Sequence, residues 1–353
     1  MKEIRKKKQY QDEIFKCSNI PLEWNIFAHK TILISGATGM IGVFLIDVLM
    51  ERNKLYKDDI KIIAIGRDEE KAKNRLGIYW NVKEFQFIVH DVNKPFMTKE
   101  IKESIDFIVH GASNTHPILY SMDPIGTIEA NVIGTKNLLD LGTVYKGCRF
   151  IFLSSVEIYG ENRGDVEAFH EDDCGYLNCN TLRACYTEGK RLGEALCQAY
   201  ISKYQSDAVI LRLCRVYGPT MKKTDTKAHA QFLVNASTGN DIVLKSEGNQ
   251  KYSYLYVADI ITAILTIMIR GKKGEAYNVA DEDSNITLKE LASYIASISN
   301  VQVIYDLPDE IERKGYSIAT KAILNANKLK ETGWISRYNI QDGIRITYDI
   351  IKK

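Results

Sequence analysis

No stretch of this 353-residue chain stays apolar over the ~18 to 20 residues that a bilayer span requires; the longest runs, such as that within Asp259 to Arg270, fall well short. No transmembrane helix is expected. The start, Met1-Lys-Glu-Ile-Arg-Lys-Lys-Lys, is basic, but Gln9 to Lys16 is polar and charged where a signal peptide would carry its apolar core. The expected location is the cytoplasm, with no membrane partner. Neither sign of charge is in surplus: 47 Lys and Arg against 45 Asp and Glu leave a formal net charge of +2. That argues against a nucleic-acid partner, since a few bases near one end do not make a basic face. There is no Cys-x-x-Cys pair. The seven cysteines, Cys17, Cys148, Cys174, Cys179, Cys185, Cys197 and Cys214, are odd in number and read as free thiols. Cys174, Cys179 and Cys185 cluster in sequence, but structural zinc ligands come in closer pairs with a fourth partner, so no metal is expected. No repeat of fixed period occurs, and no low-complexity tract beyond the basic start. What remains is ordinary: 45% hydrophobic and 26% charged residues, in a chain long enough for one to three domains with a large core.

Residues Met1 to Lys30 read as an extension, expected to be solvated, with Pro21-Leu-Glu-Trp24 as a candidate apolar anchor. From Lys30 onward, apolar runs of strand length alternate with segments long enough for a crossover helix. The runs are Thr31 to Ser35, Ile60 to Ile65, Phe85 to His90, Phe107 to His110, Phe150 to Ser154 and Ala208 to Leu213. This alternation predicts βαβ units and an α/β fold with a doubly wound parallel sheet covered on both faces. After about Gly218 the pattern is less regular. A helix over Ala228 to Gly239, strands at Ile242 to Leu244 and Tyr252 to Val257, and helices near Ile260 to Ile269 and Leu288 to Ser297 suggest a smaller C-terminal lobe. The expected division is 1–29 as the extension, 30–218 as a dinucleotide-binding domain, and 219–353 mainly as a substrate-binding lobe with some segments returning to the first domain.

The run Thr31 to Ser35 leads directly into Gly36-Ala-Thr-Gly39-Met-Ile-Gly42 and the apolar helical sequence Val43 to Met50. Gly36 can take the turn, Gly39 lets backbone approach a pyrophosphate, and Gly42 allows helix to pack closely on strand. The helix N-terminus offers unpaired N–H donors to the anion. Spacing and context together point to a dinucleotide. The second strand ends Ile62-Ile-Ala-Ile-Gly66-Arg67-Asp68, so Gly66 stands where an acidic ribose acceptor is usual. Arg67 leans toward a 2′-phosphate and hence NADP; a solvated Arg67 with Asp68 on the ribose would mean NAD. Asp91, ending the third strand, is placed to accept from the adenine amine.

Tyr186-Thr-Glu-Gly-Lys190 heads a helical stretch running to Tyr200, and positions four apart share a helix face. A Lys ammonium beside a phenol favours phenolate, so a tyrosine of ordinary pKa ~10 can act as a base nearer neutrality. An exposed pair at this spacing is common in helices, and alone it would mean little. It is joined by the strand Phe150 to Leu153, which ends in Ser154-Ser155-Val156-Glu157-Ile158-Tyr159-Gly160 and delivers hydroxyls to the carboxyl edge of the sheet, where doubly wound folds bind ligands.

With these features the chain, from Lys30 to beyond Ala280, resembles the extended short-chain dehydrogenase/reductase family, the NAD(P)-dependent nucleotide-sugar epimerases and dehydratases with a Rossmann-type fold. The resemblance rests on the glycine loop, His110-Gly-Ala-Ser113 with Pro117, Asn131-x-x-Gly134-Thr135-x-Asn137, Ser155 five before Gly160, Tyr186-x-x-x-Lys190, Arg212 before Val216-Tyr-Gly-Pro219, and Tyr256-Val-x-Asp259. It implies that Tyr186 takes the proton of a sugar 4-hydroxyl while hydride leaves carbon 4, with Lys190 lowering the tyrosine pKa and Ser155 sharing the hydrogen bond. The 4-ketone is an electron sink. It implies a tightly bound NAD or NADP, recycled in turnover and held by Gly36, Thr38, Gly39, Met40, Ile41, Gly42, Arg67, Asp91, Val92, Ala112, Ser113, Tyr186 and Lys190. It also implies a substrate shell of Asn114, Ser155, Arg215, Lys251 and Tyr252, and a homodimer formed by the helix of Tyr186 and one near Asn131 to Tyr145.

Glu157 narrows the reading. A carboxylate two residues after the catalytic Ser/Thr is typical of UDP-glucuronic acid decarboxylases and of 4,6-dehydratases, but the dehydratases precede it with an Asp, and here that residue is Val156. Pro124-Ile-x-Thr127, Glu171-x-x-Cys-Gly175-Tyr and Arg183-Ala-Cys-Tyr186-x-Glu-Gly-Lys190-Arg191 also resemble the decarboxylases. The bland reading of Glu157 is a strand-end carboxylate paired with a base such as Arg183. Two departures stand out: Arg215 where the family commonly has Asn, and Tyr252, beside Lys251, where it commonly has a phosphate-binding Arg. The expected function is therefore a UDP-glucuronate decarboxylase-like enzyme. A 4-epimerase or 4,6-dehydratase is the alternative, and a non-catalytic dinucleotide sensor, which has no need of Ser155, Tyr186 and Lys190 together, is the alternative of another class.

Overall fold

A computed structural model describes residues 1–96, 101, 103–115, 117–306 and 320–352. The strands β1 (Thr31–Ser35), β2 (Lys61–Gly66), β3 (Phe85–Val89), β4 (Phe107–His110), β5 (Arg149–Ser155) and β6 (Asp207–Leu213) lie within about a residue of the expected apolar runs at each end. With Ala276–Val279, which is β10, they form a seven-stranded, wholly parallel sheet in the order β10-β6-β5-β4-β1-β2-β3. β1 and β4 are buried along their whole length, which is why they read as unbroken apolar runs rather than alternation. The helices α3 (Met40–Tyr56), α4 (Glu69–Leu76), α6 (Pro124–Val144) and α7 (Ala184–Tyr204) supply crossovers on the two faces. From β1 the chain builds toward β2 on one side and β4 on the other, so a crevice opens at their carboxyl ends.

A second group of strands stands over that crevice. β7 (Arg215–Tyr217), β11 (Asn285–Thr287) and β13 (Lys321–Ala322) all pair with β9 (Lys251–Tyr256), while β8 (Ile242–Leu244) pairs with β12 (Val303–Tyr305). The helices α8 (Ala228–Ser237) and α10 (Leu288–Ser299) pack against them and each other, while α9 (Val257–Arg270) lies against α3 beside the main sheet. α10 starts on a full capping box between Thr287 and Glu290. The segment 219–353 is thus split, since β10 lies beside β6 in the main sheet. Among the described residues no helix is long and apolar enough to cross a membrane.

The N-terminal segment departs from expectation. Instead of a solvated tail it forms α1 (Lys2–Lys6) and α2 (Lys8–Ser18) and packs against the main domain. Tyr10, Ile14, Cys17, Trp24 and Phe27 are buried, with the Tyr10 ring edge-on to Phe44 at 5.7 Å. Arg5 holds Asp47 of α3 at 2.8 and 2.9 Å, and Tyr79 donates to the same carboxylate at 2.9 Å. Tyr10, Ile14 and Cys17 follow the i, i+4, i+7 spacing of a helical stripe, concealed by the charged residues between them.

Candidate active site

β1 ends at Ser35 and turns through Gly36, whose φ of +69° and whose clash distance of 2.6 Å from an added Cβ to Gly111 leave room only for glycine. A Cβ on Gly42 would likewise meet the Gly36 carbonyl at 2.6 Å, so α3 lies directly on the strand turn. The first intrahelical bond is Val43 N–H to the Gly39 carbonyl, which leaves the N–H groups of Met40, Ile41 and Gly42 at the helix mouth. This cradle fits a pyrophosphate. Ser35 Oγ accepts from Gly111 and Ala112 N–H at 3.2 Å each and pairs with His110 Nδ1 at 2.7 Å; His110 Nε2 meets Thr135 Oγ1 at 3.1 Å. Burial lowers the His110 pKa to about 3, so the imidazole is neutral and acts as a tie between β1, β4 and α6. Asn137 donates to the Val92 carbonyl at 2.8 Å and so fixes the loop that carries Asp91, whose Oδ1 accepts from Asn93 N–H at 3.1 Å.

β5 ends at Ser155, whose Oγ accepts from Glu157 N–H at 3.2 Å and caps the tight turn Val156–Tyr159. α7 approaches β5 closely because Gly193 leaves no Cβ to meet the Phe152 ring, which would stand 2.5 Å away. That packing buries Tyr186 and Lys190 beside the strand end. Ser155 hydrogen-bonds the Tyr186 phenol; burial pushes the phenol pKa up, the Ser155 bond draws it down, and the charge of Glu157 raises it further. Lys190 Nζ donates to the Leu153 carbonyl at 2.7 Å, and burial brings its pKa to about 7 while Glu194 opposes that fall. The expected lowering of the tyrosine pKa by Lys190 is not among the effects on the phenol, because the ammonium is directed to a backbone carbonyl. Arg212 grips Glu194 at 2.8 Å and donates to Tyr159 Oη at 2.9 Å, a supporting role behind the lysine.

The glycine loop, the end of β5 and the Tyr186–Lys190 face of α7 open on one cleft of about 1710 Å³. Gly36, Thr38, Gly39, Met40, Ile41, Gly42, Arg67, Asp91, Val92, Ala112, Ser113, Asn114, Ser155, Glu157, Tyr186, Lys190, Arg215 and Tyr252 all face it. Lys251 does not. It is exposed at the start of β9, where strand alternation turns it away from the side that presents Tyr252, and the charge expected of it is carried elsewhere. Glu157 lies between two guanidinium groups, 3.4 Å from Arg183 Nη2 and 3.6 Å from Arg215 Nη2. Arg215 stacks 3.5 Å above the Tyr252 ring, and its Nη1 is buried with no hydrogen-bond partner among the described residues. Asp68, the alternative ribose acceptor, accepts from Lys71 N–H at 2.9 Å as the cap of α4. Asp259 lies away from the cleft and accepts from Ser336 and from Arg337 and Tyr338 N–H; burial raises its pKa to about 7.

Several cleft residues went unread in the sequence. Tyr120, from α5 (Pro117–Met122), stacks on Tyr186 at 5.7 Å between ring centres. Lys227 enters the cleft just before α8 with its pKa lowered by burial, and its ammonium is 4.0 Å from Asp225. A lysine at a helix N-terminus opposes the helix dipole, which was the available signal. Lys71 and Lys222 also line the cleft and carried none.

The model of the NAD dependent epimerase/dehydratase family matches residues 32–280. Among curated relatives, UDP-glucuronic acid decarboxylase 5 of Arabidopsis thaliana is 29% identical over 322 residues, covering 90% of this chain and 88% of that protein. UDP-glucuronic acid decarboxylase 1 of Danio rerio is 28% identical over 90% of this chain and 72% of its own. Among solved structures, UDP-glucuronic acid 4-epimerase of Bacillus cereus, in complex with UDP-glucuronic acid and NAD, superimposes with a TM-score of 0.75 at 22% identity, covering 91% of this chain and 98% of that one. dTDP-glucose 4,6-dehydratase of Bacillus anthracis, in complex with NAD, gives 0.75 at 22% over 91% and 96%.

Proposed function

Since the chain belongs to the NAD-dependent epimerase/dehydratase family, we propose that it is a UDP-glucuronate decarboxylase-like enzyme that oxidises its sugar at carbon 4. The observation that carries this reading is the meeting, in one cleft, of Ser155, Tyr186 and Lys190 with a carboxylate set between two arginines. The dinucleotide, when bound, accepts hydride from carbon 4 and later returns it. Tyr186 takes the 4-hydroxyl proton, with Ser155 hydrogen-bonded to the same oxygen. The resulting ketone is β to the carbon 5 carboxylate, so the carbon–carboxylate bond breaks, carbon dioxide leaves, and the electron pair passes to the carbonyl oxygen as an enolate. Tyr186 and Ser155 are the groups that hydrogen-bond that oxygen; carbon 5 takes a proton from solvent in place of the lost carboxylate, and Tyr186 gives its proton back to the 4-oxygen when the ketone is reduced. Arg183 and Arg215 supply the positive field that draws the uronate carboxylate beside Glu157, and Lys227 with Arg215 faces the diphosphate.

The buried, apolar Val156 favours decarboxylation or 4-epimerisation over 4,6-dehydration, because no acid stands there to protonate a leaving hydroxyl. The 29% identical decarboxylase relative favours the first of these two. For assembly, Ile125 and Ile128 of α6 and Leu192 of α7 expose apolar side chains, with Met122 and Leu182 just before the two helices, on the elements of the expected homodimer. The direct test is mass spectrometry of the nucleotide-sugar product after incubation with UDP-glucuronate and NAD or NADP. Loss of carbon dioxide is the expected result. An unchanged mass with a new chromatographic peak would replace decarboxylation by epimerisation, and untouched substrate would sink the uronate reading.

A further inference from the structure

A cluster of positive charge on the adenosine side of the cleft is used by none of the steps above. Arg67 follows Gly66 at the end of β2, Lys71 lies in the first turn of α4, and Lys222 reaches across from the loop after β7. All three line the cleft together with Asp91. Among the described residues none of the three is within ion-pair distance of a carboxylate, although acids are close by. Those acids are committed: Asp68 caps α4, Glu69 pairs with Lys73 at 2.8 Å, and Asp225 accepts from Lys227 N–H at 3.0 Å.

Lys222 lies against the Lys71 side chain, and burial, that contact and nearby Arg75 together bring its pKa to about 8 against the opposing charge of Asp225. The loop that carries it is tied down. Thr220 donates to the Met40 carbonyl at 2.9 Å, and Arg75 donates to the Thr220 carbonyl at 2.6 Å. Lys222 is therefore held above the phosphate loop by the fold, and the two lobes press like charges together, offset only in part by the charge of Asp225. Such an arrangement is unfavourable by itself and becomes favourable around a dianion. The pyrophosphate has its own cradle of backbone N–H groups. A bare ribose 2′-hydroxyl would want an acidic acceptor at the end of β2, yet Gly66 stands there, and an added Cβ would meet the Phe87 ring at 3.3 Å.

We propose that Lys71 and Lys222, with Arg67, form a phosphate-monoester site that receives the 2′-phosphate of the adenosine ribose, so that this chain takes NADP(H) in preference to NAD(H). The inference rests on the reading of the cleft as a dinucleotide site. Its particular content is that the second lobe, through Lys222, takes part in choosing the cofactor.

The test is a fluorescence titration of purified protein, freed of bound dinucleotide, with NADPH and with NADH, repeated on Lys71→Met, Lys222→Met and the double variant. Wild type should bind NADPH at least about tenfold more tightly, as expected for charge-assisted bonds to a phosphate. The double variant should bring the two cofactors near parity while NADH affinity shifts by less than about threefold. Thermal stabilisation by 2′,5′-ADP against 5′-ADP gives the same comparison without the nicotinamide half, and 2′,5′-ADP should stabilise wild type more. Equal or tighter binding of NADH by wild type overturns the proposal and leaves the dinucleotide site intact. An equal loss of both cofactors in the variants assigns the lysines to the pyrophosphate and overturns it too. If neither cofactor binds wild type, the dinucleotide reading falls and takes this inference with it.

Discussion

The wall of the cleft made by β1, α3 and the end of β4 is shaped by backbone, whereas the wall made by β7, β9 and α8 is shaped by side chains. On the first, the positions of Gly36 and Gly42 leave no space for a Cβ, and the ligand-facing groups are main-chain N–H. On the second, Arg215 over Tyr252, Lys227 and Lys222 present charge from long, adjustable side chains. A backbone wall can be altered only by deforming the fold; a side-chain wall can be re-charged by substitution. Here charge and ring meet in a single pair, the Arg215 guanidinium resting on the Tyr252 ring.

Between the walls lies the Ser155–Tyr186–Lys190 floor, and removing its hydroxyl should have the largest effect. Tyr186→Phe is expected to lower turnover of UDP-glucuronate by at least about 1,000-fold, within the range for loss of a positioned acid–base group. Dinucleotide binding, measured by fluorescence, should change by no more than about threefold, because the cradle is untouched. A variant that keeps turnover would move the base elsewhere. The backbone wall should respond next: Gly42→Ala forces a contact of 2.6 Å with the Gly36 carbonyl. Overpacking of this kind costs about 1 to 3 kcal/mol, so both the thermal midpoint and cofactor affinity should fall. The side-chain wall should respond differently. Arg215→Asn is expected to raise KM for the nucleotide sugar about 10- to 100-fold with cofactor affinity unchanged, and the double variant Arg215→Asn/Tyr252→Arg should recover most of that loss by restoring the charge from β9. No recovery in the double variant would mean that Arg215 acts through Glu157 alone.

This contrast also explains what could be read in the sequence. The backbone wall was legible because only glycine satisfies a positive φ or a missing Cβ, so Gly36 and Gly42 declare their geometry by residue type and spacing. The strands were legible because central parallel strands are apolar on both faces. Tyr186 and Lys190 share a helix face by spacing, but the direction of Lys190 toward the Leu153 carbonyl depends on Gly193, three residues beyond the Tyr-x-x-x-Lys spacing and outside it, and on the Phe152 ring it lets approach. Lys251 was misplaced because adjacent strand residues point to opposite faces, and its neighbour Tyr252 has the inward position. The packing of α1 and α2 was hidden because their apolar stripe, Tyr10, Ile14 and Cys17, is sparse within a charged segment. Lys71 and Lys222 lie 151 positions apart, and only the closure of one lobe over the other brings them together.

Each wall also contains one buried imidazole, which allows the two to be compared through pH. His110 ties β1 to α6 through Ser35 and Thr135. His229, on α8, meets the Val216 carbonyl at 3.2 Å and lies edge-on to Tyr254 at 5.5 Å. Burial lowers the pKa of both to about 3, assisted by Lys190 for His110 and by Lys227 and Arg215 for His229. A histidine depressed in the folded state binds its proton more readily when unfolded. Its stabilising contribution is therefore complete above the unfolded pKa of ~6.5 and is lost as pH falls from there toward the folded value. At pH 5 the loss is about 2 kcal/mol for each imidazole. His229→Gln, which keeps a side-chain donor for the Val216 carbonyl, should reduce the drop in unfolding free energy between pH 7 and pH 5 by about that amount while leaving NADH binding unchanged. His110→Asn should produce a similar reduction but weaken NADH binding, since His110 supports Ser35 and, through it, the Gly111 and Ala112 turn beside the phosphate loop. A pH dependence identical in wild type and both variants would show that neither imidazole is held neutral, and equal effects of the two variants on NADH would erase the distinction between the walls.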